Sequence, residues 1–348
     1  MMTLKQFATG VEAIPASTSW YLSCLGERRG KQDSVTKLSA NVLRAMQEHA
    51  LIESAASSNR IDGVEIAHEP IDMAQVGPLM LRYSNEEAIR RYRYALEVIH
   101  QYAAENPVSE ELIRIFHQMC SRQIVDVDQY IEKDGDNSQE HPDGWPRKRS
   151  RTVSAAKSLE SVPQLIRLWQ SCIQEQRVHP LLVLAGFNLD FLCTHPFQDA
   201  NGSVSRLILH LQLEQLGYIV GRFISLERLI EQNKERYLEA LVQSSQDYDE
   251  GQHDPWPYIN YILFILKTAY SELEERTAQV TLPRGAKYNR IIQAISRQAG
   301  LFSMADIHNA CPEVSKERIR QILVEMKVRQ TVVVEGDGRA ARWRYLGS

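Results

Sequence analysis

The segment Thr194-His195-Pro196-Phe197-Gln198-Asp199-Ala200-Asn201-Gly202-Ser203-Val204-Ser205-Arg206 separates two helical stretches, and its reading organises the chain. The stretch before it, residues 180–193, is apolar almost throughout and opens on Pro180, which suits a helix start. The stretch after it, residues 202–216, keeps a helical pattern. A loop between buried helices that carries His, Asp, Asn, Gly and Arg is costly unless those polar groups have partners. Asn201-Gly202 at a helix start presents free backbone N–H groups and the positive end of a dipole, which suits a phosphate. Asp199 is a candidate Mg²⁺ ligand, since Mg²⁺ takes one or two carboxylates together with phosphate oxygens. Arg206, one turn into the helix, can offer paired N–H donors to the same anion. His195 is the nearby side chain able to take a proton at neutral pH. Together they describe a nucleotide phosphate site. The competing reading is a plain interhelical loop, with Asn201 and Gly202 as caps and a satisfied histidine.

Helical periodicity extends outward from this segment over residues 34–276. Residues 34–59 place Leu38, Val42, Leu43, Met46, Leu51 and Ile52 on one stripe and stop at Asp62-Gly63, where Gly can take the left-handed conformation that closes a helix. Ser84–Glu87 reads as a capping box for a helix running to about residue 104, and Ser109 caps another ending near Cys120. Further helices are expected at 162–176, 180–193, 202–216, 226–243 and 256–276. The polar, turn-rich run 134–144, followed by a strand-like 148–153, reads as a β-hairpin flap on the helical body. Residues 283–286 read as a linker. Beyond them, helices at 288–298, 303–310 and 315–328 precede strands at 331–334 and 342–346, the order of a winged helix. His100, His117, His179, His210 and His253 stand outside any motif and read as surface or core histidines.

The chain has 348 residues, 43% hydrophobic and 24% charged, which excludes wholesale disorder and is long enough for two domains. Five cysteines, scattered and odd in number, with no CxxC pair, exclude a disulfide framework and a cysteine-rich zinc site. No apolar run approaches the ~18 residues of a membrane span, and the first residues lack a signal-peptide pattern. A cytoplasmic protein with no membrane partner is expected. Residues 283–348 hold 12 Lys+Arg against 6 Asp+Glu, whereas the rest holds 28 against 38. A basic C-terminal module on an acidic body points to nucleic acid, or more blandly to a solvated positive surface.

HPFQDANGSVSR resembles the signature of the Fic family, HPFx[DE]GNGRxxR. The likeness extends over residues 34–276. Ser58-Asn59-Arg60-Ile61-Asp62-Gly63 resembles the family's inhibitory-helix motif [ST]xxxE[GN], the expected hairpin resembles its target-docking flap, and Gly217-Tyr218, residues 222–227 and His253-Asp254-Pro255-Trp256 follow bacterial Fic proteins that end in a winged helix. The resemblance implies a mainly α Fic bundle with a small β-hairpin flap and a C-terminal winged helix, arranged as an N-terminal helical region (1–104), a Fic core (105–276) and the winged helix (284–348). It implies transfer of AMP from ATP, with Mg²⁺, to a hydroxyl of a protein, including the chain itself.

In that implied mechanism His195 deprotonates the target hydroxyl and Phe197 anchors the loop. Asp199 binds Mg²⁺, and Ala200, Asn201 and Gly202 form the anion nest. Arg206 meets the terminal phosphates or, at rest, the inhibitory carboxylate of Asp62, which Ser58 and Gly63 flank. Three positions depart from the family pattern: Ala200 stands for Gly, Ser203 for Arg, and Asp62 for Glu. The shorter Asp62 is expected to give a looser or water-bridged pair, and Ser203 to remove a charge near the phosphates. An alternative follows from these departures: a degenerate nucleotide-binding regulator that docks on DNA or a partner through its winged helix. A homo-oligomer is a separate partner expectation. A switch of nucleotide or phospho-donor is a third reading. In the C-terminal module, residues 315–328 form the candidate recognition helix. Lys316, Arg318, Arg320 and Lys327 are left for solvent or phosphate, and Arg339, Arg342 and Arg344 lie on the wing.

Overall fold

A computed structural model describes residues 2–10, 13–36, 38–64, 86–121, 155–281, 286–298, 300–312, 314–336 and 341–346. The chain divides into two compact units, Met1–Glu275 and Arg276–Ser348. The helices in order are α1 (Thr3–Thr9), α2 (Ala16–Lys31), α3 (Asp33–Thr36), α4 (Ala40–Ile61), α5 (Glu86–Tyr102), α6 (Glu110–Cys120), α7 (Ala155–Glu175), α8 (Pro180–Thr194), α9 (Asn201–Gln215), α10 (Leu226–Gln232), α11 (Lys234–Ser245) and α12 (Trp256–Thr281). Among the described residues no helix is long and apolar enough to cross a membrane.

A helix that is apolar on every side must be surrounded, and α8 is. Leu181 to Leu192 are all buried. α7 and α1 pack on α8, which in turn packs on α9. The approach of α1 depends on Gly186, where a Cβ would lie 3.1 Å from Phe7 and 3.2 Å from Thr3. Asp190, fully buried one turn later, accepts the backbone N–H groups of Thr3 (2.8 Å) and Leu4 (2.9 Å) and the hydroxyl of Tyr248 (3.0 Å). Burial pushes the Asp190 carboxyl up to about 6 against the pull of those donors. Asn188 ties α8 to α9 by donating to the Ser205 carbonyl (2.8 Å), and it accepts from Tyr258 of α12 (2.6 Å).

α4 is built into the core rather than laid on it. It buries Met46, Ala50, Leu51, Ala55 and Ile61 and packs against α5 and α10. Polar contacts reinforce the seam with α10: Ser54 to Ser225 (2.9 Å), Arg228 to Glu53 (3.2 Å), and a two-point Arg60–Glu231 pair (2.6 and 2.9 Å). α4 ends on Asp62. Gly63 follows at φ 79°, its N–H reaching the Arg60 carbonyl (3.1 Å) while Val64 N–H reaches Asn59 (2.9 Å). That double closure is the Schellman motif, and glycine supplies the left-handed residue it needs.

Several boundaries differ from the sequence reading. The helix expected over 34–59 starts at Ala40, after the separate α3. The helix expected over 226–243 breaks at Asn233 (φ −118°, ψ 31°) into α10 and α11. α1 and α2 carried no sequence signal: α2 buries only Thr18 and Leu25, too few for a stripe. The flap at 134–153, Ser84 of the expected capping box, linker residues 283–285 and Arg339 lie outside the described residues.

The second unit contains α13 (Ala286–Ser296), β1 (Leu301–Phe302), α14 (Met304–Ala310), α15 (Lys316–Val328), β2 (Val332–Glu335) and β3 (Arg342–Tyr345). Its three strands form an antiparallel sheet in the order β1-β3-β2, with Leu301 opposite Arg344 and Val334 opposite Trp343. Ile291, Phe302, Ile307, Ile319, Ile322, Leu323 and Val332 form a core of its own. Ser303 and Asp306 cap α14 reciprocally. β1 is two residues long, too short for a pattern to reveal.

Candidate active site

The loop between α8 and α9, residues 195–200, is shaped by two left-handed residues, His195 (φ 49°, ψ 60°) closing α8 and Ala200 (φ 58°, ψ 12°) opening α9. Each holds a Cβ where the left-handed conformation costs roughly 1–2 kcal/mol. The loop persists because buried contacts determine it. Asn201 clips it internally, accepting from Phe197 N–H (3.0 Å) and donating to the Phe197 carbonyl (2.7 Å). The Phe197 ring is buried near Phe191. Thus Phe197 anchors and Asn201 fastens, while His195 and Asp199 are half-buried.

At the start of α9 a carboxylate lies against Gly202, Ser203 and Arg206. Asp62, at the end of α4, accepts from Arg206 Nη2 through Oδ1 (2.7 Å) and from the Ser203 hydroxyl through Oδ2. Its Oδ1 lies so close over Gly202 that a Cβ there would stand 3.1 Å away. Ser58, one turn earlier, accepts from Arg206 Nε (3.0 Å) through its hydroxyl and from Nη2 (3.1 Å) through its carbonyl. Burial drives the Arg206 guanidinium down, but the Asp62 charge outweighs it and holds the group well above its usual range. Asp62 and Arg206 are both buried, so breaking the pair by removing one partner costs about 3–5 kcal/mol. The pair is direct, correcting the expectation that a shorter acid would be loose or water-bridged. α4 is packed close enough for Asp to reach, and the small Ser203 both leaves room and donates to it.

Behind the nest lies a second buried group. Glu227 on α10 accepts from Tyr92 (2.8 Å) and pairs with His210 of α9 (2.9 Å). Burial alone would raise the Glu227 carboxyl, yet His210 facing it holds it at about 2. The sequence reading of His210 as a core histidine matches this setting. His117 is buried as well, but it also touches the motif loop. His117 on α6 lies flat on Phe197, centroids 4.0 Å apart and planes within 6°, with Nε2 3.0 Å from Asp199 Oδ1. Ser121, which follows α6, donates to Asp199 Oδ2 (3.1 Å). Neither residue carried a signal, because both lie about 80 positions from the motif and only the packing of α6 on α9 unites them.

Residues 107–213 match the Fic/DOC family. Residues 107–213 thus form a Fic/DOC domain. Solved structures share the fold at low identity. A Fic family protein from Desulfovibrio desulfuricans is 20% identical with a TM-score of 0.55, over 97% of this chain and 98% of that one. A Fic domain containing signaling protein from Bacteroides thetaiotaomicron is 19% identical with a TM-score of 0.55, over 73% and 98%. Fic-1 from C. elegans is 16% identical with a TM-score of 0.52, over 76% and 72%. No match was found among curated proteins. The fold is therefore the mainly α Fic fold, followed by a small three-stranded antiparallel sheet near the C-terminus.

Because Ala200 is left-handed, Ala200→Gly relieves roughly 1–2 kcal/mol of strain and returns about half of it as unfolded-chain entropy. A net stabilisation of about 0.5–1 kcal/mol is expected, read as a higher thermal midpoint. An unchanged or lower midpoint would mean the loop is not strained there.

Proposed function

We propose that this chain transfers AMP from ATP to a hydroxyl of a protein, itself included, and that Asp62 holds the activity back. The observation that carries the reading is the Asp62 carboxylate over the N-terminus of α9, paired with Arg206. A nest of N–H groups with a buried arginine is made for an anion, and here a protein carboxylate takes the place of phosphate. In the proposed reaction the hydroxyl oxygen bonds to the α-phosphorus as the bond to the β-phosphate bridging oxygen breaks. Pyrophosphate leaves, and His195 takes the hydroxyl proton. Asn201 and Gly202 face the phosphates through backbone N–H groups, and Arg206 holds the terminal ones once Asp62 lets go.

The donor set suits Mg²⁺: Asp199 is a hard carboxylate, one-third exposed, beside a phosphate nest. Mg²⁺ there would neutralise phosphate charge.

Restraint is local. α4 is anchored by Arg60–Glu231, Arg228–Glu53 and its apolar face, so Asp62 is freed by moving its own side chain or the last turn, not by releasing the helix. The departures at Ala200 and Ser203 favour the second reading, a weakened nucleotide-binding regulator, since a missing charged hydrogen bond costs about 1.5–3 kcal/mol of phosphate binding. ATP and GTP, each labelled at the α-phosphate, separate these readings.

With α-labelled ATP, Asp62→Ala is expected to raise protein labelling about tenfold or more, corresponding to recovery of roughly 1.4 kcal/mol or more at Arg206. Ser203→Arg in that background should raise it further, and His195→Ala should abolish it while leaving ATP affinity within a few-fold. Asp62→Ala lowers the thermal midpoint on either reading, because it breaks a buried pair; if Asp62 only caps α4, labelling stays unchanged.

The second unit is read as a winged helix. α15 buries Ile319, Ile322, Leu323 and Met326 and exposes Lys316, Arg318, Arg320 and Lys327, while Arg342 and Arg344 of β3 are exposed as well. If these cations meet DNA phosphates, duplex affinity of the full chain should fall steeply with salt, and Arg318→Ala with Arg320→Ala should shallow the slope by about two. A gel-shift titration checks this. No binding at low salt assigns the unit to a protein partner.

A further inference from the structure

The proposed reading makes Asp199 the cation ligand but leaves open what holds its carboxylate in place, since residues 195–200 form a loop. The answer is on α6. His117 is pinned in plane by stacking on Phe197 (4.0 Å, 6°), and Phe197 is pinned by the two Asn201 hydrogen bonds. The in-plane direction of the imidazole then sets its Nε2 at 3.0 Å from Asp199 Oδ1. An ionised carboxylate only accepts, so this contact requires the hydrogen on Nε2. Ser121 donates to the other oxygen at 3.1 Å and is itself almost fully buried. Its position is fixed by its N–H to the His117 carbonyl (2.7 Å) and by Arg91 donating to its carbonyl (3.3 Å).

Both carboxylate oxygens are therefore oriented by donors on one rigid helix end, while a third of the Asp199 side chain stays open to solvent. Ligating carboxylates and imidazoles are ordinarily steered by such outer partners, whose loss typically lowers metal affinity about 10–100-fold. Plain packing would account for the stacked ring, but not for an imidazole N–H and a buried hydroxyl converging on the two oxygens of one half-exposed carboxylate.

We propose that His117 and Ser121 are positioning residues for a divalent cation held by Asp199 together with nucleotide phosphates. The inference rests on the reading of Asp199 as the cation ligand. It assigns α6, which carries none of the motif, a part in cation and nucleotide affinity.

The test uses the full chain and calorimetric titration with ATP, once with Mn²⁺ and once with EDTA. His117→Phe keeps the stacked ring and removes the donor. His117→Gln removes the ring and keeps an N–H near the same place. Expected with Mn²⁺ is a loss of about 10–100-fold in ATP affinity for His117→Phe, a smaller loss for Ser121→Ala, and affinity within a few-fold of wild type for His117→Gln. In EDTA all four proteins should bind ATP alike. Unchanged Mn²⁺-dependent affinity in His117→Phe overturns the proposal. Equal losses with Mn²⁺ and with EDTA also overturn it, by showing a packing role. Asp199→Asn is the reference: if it keeps the Mn²⁺ enhancement, the assignment of Asp199 itself fails. If it loses the enhancement while His117→Phe keeps it, only the positioning role fails.

Discussion

Arg206 is a cation buried in the first turns of a core helix, and the structure around the site answers its charge. Without a partner in a low-dielectric interior such a group costs several kcal/mol. Asp62 supplies the charge and Ser58 supplies two further acceptors. The need for a partner dictates where α4 ends and explains why Gly63 stops it there. The proposed restraint rests on the same need. On the proposed reading, a nucleotide's terminal phosphates would take the place of Asp62 at Arg206.

The scaffold around this pair is closely packed. α8 is surrounded by α7, α9, α11 and α1, and its close contact with α1 at Gly186 leaves little freedom. On the far side, His210, Glu227 and Tyr92 close a buried polar cluster that joins α9, α10 and α5. The loop between α8 and α9 is thus held at both ends by rigid helices, which lets it retain two left-handed residues that a free loop would relax.

Much of this was legible in the sequence, for physical reasons that differ from part to part. The all-round apolar run 180–193 marks a core helix, and Asp62-Gly63 marks a helix end, because both signals are local. The chemistry proposed for residues 195–206 was suggested by residue types alone. The partners of those residues could not. Asp62 was found through its own motif, whereas His117 and Ser121 meet Asp199 only through packing of α6 on α9. The directness of the Asp62–Arg206 pair was also hidden. It depends on how closely α4 approaches and on the space Ser203 leaves, neither of which a one-dimensional pattern contains. α2 escaped notice because a helix that buries so little has no stripe to show.

The central claim is that Asp62 occupies the place of the terminal phosphates, and the affinity ratio of ATP to AMP tests it most directly. In EDTA, where no cation bridges the phosphates, wild type should bind ATP and AMP about equally, because Arg206 is already engaged. Asp62→Ala should raise ATP affinity about tenfold, corresponding to one charged contact, and leave AMP affinity unchanged. An ATP:AMP ratio that is the same in both proteins would contradict the account.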